Sequence, residues 1–246
     1  MTLQVTAHPS TADIFFNDKF VGVSPQTLRV NPLVPDNTIS AAAVECFEHY
    51  RELNTDDVKP GNVIEITLDP REKTLIEKRV PKWLRFRRRY PNSPVLMHAI
   101  SNYLAYIKEI DDAFAEAQEL LHITPQWYMA HNQMANVYQL KGDFDKAIIC
   151  GHDTIRANPS HALGYIGLAC IFSLAGDFSQ CLAQLAIIDK EEWLIATYAY
   201  FGKYCIANDP DFAPISAHRK HGPEFRNLVS SINDKRDRYK AQKVGG

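Results

Sequence analysis

An internal repeat with a period of 34 residues limits this chain to a narrow set of folds. A shift of 34 positions aligns the Gly-Asp-Phe of 142–144 with that of 176–178, and a further shift reaches the Asp-Phe of 211–212. The same shift pairs residues of similar size: His131 with Tyr165, Met134 with Leu168, Ala135 with Ala169 and Tyr138 with Phe172. Such a period is typical of two-helix units that bury their apolar faces only by stacking on one another. The sequence therefore predicts an array of helical hairpins.

The repeated residues resemble the tetratricopeptide repeat (TPR). Small residues at the helix crossing, aromatic wedges, turn glycines and a closing proline carry the resemblance: Ala135, Ala169, Ala147, Tyr138, Phe172, Gly142, Gly176 and Pro159. The resemblance implies an α-solenoid of three units at 94–127, 128–161 and 162–195, the first with Lys108 in place of the turn glycine. Residues 196–246 depart from the pattern, and we expect them to form a C-terminal helical cap with a basic tail.

The first 70 residues follow a different period, because their apolar and polar residues alternate as in half-buried strands. The alternating segments are LQVTAH, ADIFF, TLRV, ISAAAVEC and NVIEITL. They are separated by turn residues at Pro9-Ser10, Asn17-Asp18, Gly22, 35–37 and 59–62. The sequence thus predicts a two-domain β + α chain that begins with a small antiparallel β-sandwich over 1–70.

The β-rich segment resembles a PEGA domain. The resemblance rests on the tetrad Pro9-Ser10-Thr11-Ala12, the turn Asn17-Asp18-Lys19, Val21-Gly22, Pro25 and the final strand 64–68. His49-Tyr50 stands where that family commonly has Gly-Tyr. The resemblance implies a β-sandwich appendage of prokaryotic surface or scaffold proteins, with no active site.

A basic stretch follows the β-rich segment, and we expect residues 71–93 to form a basic linker and an N-terminal capping helix. Seven of twelve positions are cationic, with Trp83 and Phe86 between them: Lys78, Arg79, Lys82, Arg85, Arg87, Arg88 and Arg89. One interpretation is a site for single-stranded nucleic acid or another anionic polymer. The other is a solvated linker whose cations neutralise carboxylates such as Asp111 and Asp112. We favour the second, because the net charge of -2 provides no wider basic surface.

The sequence offers no catalytic, metal or cofactor motif. GxSxG, GxxxxGK[ST], GxGxxG and HExxH patterns are absent, and the five cysteines lack CxxC spacing. Of the nine histidines, His218 and His221 form the closest pair, without a companion ligand at metal spacing. Odd cysteine numbers within apolar runs favour reduced, buried thiols. We expect no enzyme activity, no metal and no cofactor.

The candidate site is the face that the first helix of each hairpin presents. In TPR-like arrays these helices line a concave groove. In this register the groove comprises His98, Asn102, Tyr106, Met129, Asn132, Asn136, Gln139, Leu163, Ile166, Cys170 and Ser173. Its amides could pair with the main chain of a partner segment, whereas the lack of Lys and Arg speaks against a carboxylate clamp. The alternative is that the protein's own cap or β-domain fills the face.

These observations predict a non-enzymatic adaptor or scaffold subunit of a bacterial or phage multiprotein assembly, whose groove binds a protein segment. The alternative function is nucleic-acid or anionic-polymer binding through the basic stretch. An exposed β-edge or the Leu163-Ile166 face could also support self-association. The start of the chain has no signal-peptide pattern, and no apolar run is long enough for a membrane span. We therefore expect a cytoplasmic protein, alone or within a larger assembly or virion.

Overall fold

The computed structural model describes residues 2–8, 12–30, 38–42, 49–53, 57, 59, 62–67, 73–201 and 204–244. The chain falls into two compact units, Met1–Tyr103 and Leu104–Gly246. The division lies further along the chain than residue 70, where the sequence changes its period. Several predicted features lie outside the described residues: positions 9–11 of the PEGA-like tetrad, the turns at 35–37 and 60–61, and Cys46.

Seven strands form two sheets in the described part of the first unit. They are β1 Thr2–His8, β2 Asp13–Phe16, β3 Lys19–Val23, β4 Gln26–Arg29, β5 Thr38–Ala42, β6 His49–Glu52 and β7 Val63–Thr67. One sheet has the order β4-β1-β7 and the other β3-β2-β5-β6. Alternate side chains of both sheets, such as Leu3 and Val5 from β1 and Ile14 from β2, meet in one apolar cluster.

The prediction that all strands pair antiparallel is wrong for one pair. β1 and β7 are parallel, with Val5 opposite Ile64 and Ala7 opposite Ile66. Parallel and antiparallel strands share a side-chain period of two, so alternation alone cannot distinguish them. The expected tight turn between β2 and β3 is present, because Asn17 and Asp18 both adopt positive φ values of 48° and 62°.

Ten helices lie in the described residues. They are α1 Lys73–Arg89, α2 Pro94–Tyr106, α3 Ile110–Ile123, α4 Tyr128–Leu140, α5 Phe144–Ala157, α6 Ala162–Ala175, α7 Phe178–Lys190, α8 Glu192–Tyr198, α9 Ala213–Ala217 and α10 Gly222–Val244. Two 3-10 turns, Ile206–Asn208 and Pro210–Phe212, lie between α8 and α9. None of these described helices is long and apolar enough to cross a membrane.

The predicted helical array is confirmed by where its helices begin. The first helices of the three hairpins start at Pro94, Tyr128 and Ala162, each 34 residues after the last. The second helices start at Ile110, Phe144 and Phe178 with the same interval. In the second unit α3, α4, α5, α6 and α7 each pack against the next, and α4 also packs against α6.

The turn within each hairpin requires a left-handed residue. Gly142 and Gly176 have φ values of 75° and 82°, and Lys108, at the equivalent position, has 68°. The following residue caps the next helix where it is aspartate: the carboxylates of Asp143 and Asp177 accept hydrogen bonds from main-chain N–H groups in the first turn of the helix. The repeated Gly-Asp pair is thus a local stop and start signal.

Most of the basic stretch is helical, so the helix expected within 71–93 is longer than its linker part. Residues 73–89 form the single helix α1, which continues through Pro81. Trp83 lies on its buried side with 6% of its surface exposed, whereas its neighbour Leu84 is 43% exposed. Within the region expected to form the cap, 196–246, the last helix, α10, is 23 residues long.

Replacing Trp83 with Ala is expected to destabilise the first unit by about 3 to 5 kcal/mol, because it removes a large buried ring. Leu84→Ala on the same helix turn is the matched control and is expected to cost far less. Urea unfolding followed by circular dichroism compares the two variants. Equal losses would show that Trp83 contributes no more than its exposed neighbour.

Two glycines of α6 lie so close to neighbouring helices that a side chain has little room. A Cβ atom at Gly164 would lie 2.8 Å from Cγ1 of Ile155 and 3.1 Å from its main-chain nitrogen, whereas one at Gly167 would meet Oδ1 of Asn132 at 3.0 Å. We expect Gly164→Ala to destabilise the second unit by about 1 to 3 kcal/mol, because the main chain of α5 must move.

Gly167→Ala serves as the control on the same helix, because only the end of a side chain has to yield there. It also gains helix propensity of up to about 1 kcal/mol. Thermal unfolding of both variants tests the difference, and equal melting temperatures would contradict the close approach at Gly164.

Candidate functional site

The predicted groove residues are divided between the two units. His98 and Asn102 belong to the first unit, where His98 is buried and Asn102 is half-buried. The Nδ2 atom of Asn102 donates to the main-chain oxygen of His98 at 3.0 Å and lies 3.2 Å from Nε2 of the same residue. This amide is therefore engaged within its own helix rather than held ready for a partner.

On α6 the predicted groove residues are covered by the chain itself. Ile166, Cys170 and Ser173 are buried, and Leu163 is half-buried. The 3-10 turn Pro210–Phe212 and helix α9 pack against α6. At the third hairpin this packing favours the interpretation in which the protein's own cap fills the face. These α6 residues, and the buried Met129 of α4, contribute to packing rather than to an accessible groove.

A network of hydrogen bonds holds the covering segment, residues 204–212, against α4 and α6. Nε2 of Gln139 on α4 donates to Oδ2 of Asp211 at 2.8 Å. The hydroxyl of Tyr204 donates to Oδ2 of Asp209 at 2.7 Å, and Oδ1 of Asp209 accepts from the Asp211 N–H at 2.9 Å. The buried thiol of Cys170 donates to Oδ2 of Asp209 at 3.9 Å. Gln139, a predicted groove residue, therefore binds this segment.

Helix α10 anchors the same segment from its other side. Nη1 of Arg236 donates to the Tyr198 hydroxyl at 3.1 Å and to the main-chain oxygen of Tyr204 at 3.2 Å. The Tyr198 hydroxyl accepts from the Ile206 N–H at 3.1 Å. The ring of Phe212 is buried against that of Phe225, with centroids 5.4 Å apart. Segment 204–212 is thus fixed by apolar burial as well as by polar contacts.

The electrostatics around this network disfavour charge on its buried groups. Burial, with the nearby carboxylates of Asp209 and Asp211, raises the pKa of Cys170 well above its usual value. Burial and the neighbouring Asp209 also raise the pKa of Asp211, although the hydrogen bond from Gln139 and the charge of Lys108 act against this. Burial raises the pKa of Cys150 to about 11 and that of Cys181 to about 12. At neutral pH these three thiols are protonated and poor nucleophiles.

Three side chains of this network have the types that can bind a metal. One ligand atom each from Cys170, Asp209 and Asp211 lies within 4.8 Å of the others. A thiolate with two carboxylates is a donor set that Zn²⁺ accepts, so these residues could hold such an ion. The sequence did not indicate this grouping, because its members are up to 41 positions apart and share no motif spacing.

Two predicted groove residues are left with available amides. Asn132 and Asn136 lie one helical turn apart on α4, on the side that also carries Gln139, and both are half-buried. Neither side-chain amide makes a hydrogen bond within the part of the chain that the structure describes. Tyr106, another predicted residue, is 43% exposed. We call Asn132 and Asn136, with the adjoining Gly167 of α6, the amide face.

The basic residues of α1 lie mainly on its exposed side. Lys82, Arg85, Arg88 and Arg89 are exposed, while the side chain of Arg79 lies outside the described residues. Lys82 and Arg85 each lie 5.7 Å from the centre of the Phe86 ring, and Arg87 donates to the main-chain oxygen of Pro91. The buried Trp83 cannot serve as a stacking platform for bases.

Three described histidines, His161, His218 and His221, pack against other rings, and His161 also caps a helix. The His218 and His221 rings stack with centroids 5.1 Å apart, and the ring of Phe178 lies 4.6 Å from that of His218. His161 is buried between Tyr128 and Phe201 and accepts a hydrogen bond from the Leu163 N–H, which caps α6. Burial lowers the pKa of His161 to about 4.

No protein-family model matches the chain, and the search of curated proteins found no match. Similar solved structures include MamA, with 13% identity over 71% of this chain and 94% of its own, at a TM-score of 0.43. A thermophilic TPR protein from Thermus thermophilus has 15% identity over 65% of this chain and 90% of its own, at a TM-score of 0.43. The MamA RS-1 ArsTM double mutant has 16% identity over 67% of this chain and 89% of its own, at a TM-score of 0.44.

The buried His161 predicts a pH dependence of stability. Its pKa is about 4 in the folded chain and about 6.5 when unfolded, so unfolding takes up a proton between these values. Stability from this residue is complete above pH 6.5 and declines as the pH falls to about 4, by up to about 3 kcal/mol. His161→Asn keeps a capping acceptor but does not titrate, and we expect a flatter dependence over this window.

Denaturant unfolding at several pH values measures how the free energy of unfolding changes with pH. This slope, rather than the absolute stability, is compared between wild type and variant. The exposed His152→Asn is the control. If both variants had the slope of the wild type, His161 would not be the titrating group.

Proposed function

We propose that this protein is a non-enzymatic adaptor that binds a segment of a protein partner at the amide face. The β-rich unit, which resembles a PEGA domain, then provides a second contact to a larger assembly of bacterial or phage origin. In this role the helical hairpins hold the α4 side chains at fixed spacing, so that binding needs little rearrangement of the protein.

The observation that carries the proposal is the pair of unpaired amides at Asn132 and Asn136. Half-buried amides without partners lose part of their hydration and gain no hydrogen bond in return. An extended segment of a partner has main-chain N–H and C=O groups that match both the oxygen and the nitrogen of each amide. The protonated state of the described thiols supports a role without thiol chemistry.

The protein's own segment 204–212 limits the size of this site but does not fill it. Segment 204–212 covers α6 and the Gln139 end of α4, whereas Asn132 and Asn136 lie further towards the start of α4. A partner would therefore lie beside the protein's own segment and contact it.

The second candidate function is binding of an anionic polymer by α1. Lys82, Arg85 and Arg88 are exposed and make no ion pair with a described carboxylate, and Asp111 pairs instead with Lys141. This observation favours a polyanion over the neutralised-linker interpretation. Such binding would fall steeply with salt, because it releases counterions.

Asn132→Ala combined with Asn136→Ala is expected to weaken peptide binding about tenfold or more, because each lost hydrogen bond contributes about 1 kcal/mol. The measurement begins with selection of peptides from a display library on the full-length protein. The affinities of the selected peptides for wild type and variant are then compared by fluorescence anisotropy at low and high salt. Thermal stability is expected to change little, because these amides make no hydrogen bond to the described residues.

The exposed Gln118→Ala on α3 is the matched control, since it removes an amide elsewhere on the same unit. If the double variant bound selected peptides as wild type does, the amide face would not be the binding site. Binding that disappears at high salt and is unaffected by the double variant would favour α1.

A further inference from the structure

We infer that the segment bound at the amide face carries an arginine or lysine, which pairs with Asp211 beside Asp209. This inference rests on the proposed function and specifies its partner. It concerns the place where the protein's own segment 204–212 borders the row of α4 side chains.

The first step is the position of Asp211 at the end of that row. Asn132, Asn136 and Gln139 follow one another along the same side of α4, and Gln139 donates to Oδ2 of Asp211. The rise of a helix places Asn132 and Gln139 about 10 Å apart along its axis. About three residues of an extended chain span this distance. A segment whose main chain pairs with the two asparagines therefore brings a nearby side chain to Asp211.

The second step is the charge at that end. Asp209 and Asp211 are half-buried, and neither forms an ion pair with any described cation. Lys108 acts on Asp211 only through its charge, without an ion pair to it. Two adjacent carboxylates in partly desolvated surroundings repel one another, and a cation from a partner beside this pair would relieve the repulsion. The charge of the site is thus complementary to a basic side chain.

The third step is the number of acceptors that remain. Oδ1 and Oδ2 of Asp209 already accept from the Asp211 N–H and the Tyr204 hydroxyl. Oδ2 of Asp211 accepts from Gln139, but Oδ1 of Asp211 has no partner among the described residues. An ammonium or guanidinium group needs only one free oxygen for a charge-assisted hydrogen bond. A metal would need several of these atoms at once, including the thiolate of the buried Cys170.

The experiment uses four pools of octapeptides with blocked ends, randomised among Ala, Ser, Thr and Val. Each pool fixes the two central positions as Arg, Lys, norleucine or Glu. Norleucine has a hydrocarbon side chain similar to that of Lys but no charge. Fluorescence anisotropy measures their binding to the full-length wild type, to Asp211→Asn, and to the Asn132→Ala/Asn136→Ala variant.

The Arg and Lys pools are expected to bind wild type about fivefold tighter than the norleucine pool, as for a partly exposed ion pair. Asp211→Asn keeps the acceptor for Gln139 and is expected to remove this preference. The asparagine double variant should weaken all pools alike. The exposed Asp145→Asn controls for the loss of one negative charge and should leave the preference intact.

The outcomes separate this inference from the proposed function. If the pools bound equally well and the asparagine variant weakened them all, the inference would fail and the proposed function would stand. If the asparagine variant had no effect on any pool, the proposed function would fail, and the inference with it. Calorimetric titration with Zn²⁺ supplies the last arm: a single site lost in Cys170→Ser and in Asp211→Asn would assign the carboxylates to a metal and overturn the inference.

Discussion

The stability of the second unit depends on the burial of α6 on every side. This helix is apolar almost throughout, and residues around its whole circumference, such as Leu168, Cys170 and Phe172, are buried. Helices α5 and α7 cover two sides and α4 a third, while the turn Pro210–Phe212 and α9 complete the enclosure. A helix that is apolar all round is stable only when it is buried in this way. The C-terminal region is therefore part of the core of the third hairpin.

The sequence predicted the helical half well because its signals are local. Each hairpin turn is determined by a left-handed residue and, in two units, by an aspartate that caps the next helix, all within a few positions. Side-chain size at the helix crossings repeats with the same period. In the β-rich unit, alternation located β1 and β7 but could not give the parallel direction in which they pair.

The candidate site was predicted only in part, because it depends on long-range contacts. The bond between Gln139 and Asp211 joins residues 72 positions apart, and no periodicity reports such a contact. The buried Ile166, Cys170 and Ser173 were therefore included in a groove that the chain itself covers. The engagement of Asn102 with His98 is different, since both lie one helical turn apart and a local hydrogen bond was foreseeable. The role of Asn132 and Asn136 as a binding site stays a prediction.

The dependence of α6 on segment 204–212 also affects how the chain is made. Helix α6 ends at Ala175, and Phe212 follows 37 residues later. At typical rates of translation of about 5 to 20 residues per second, the apolar side of α6 stays uncovered for about 2 to 7 seconds. During this interval the nascent chain exposes an apolar surface to which chaperones or another chain can bind. Synthesis that stops before Phe212 would leave this surface exposed permanently. Burial of α6 therefore requires that this C-terminal region is completed.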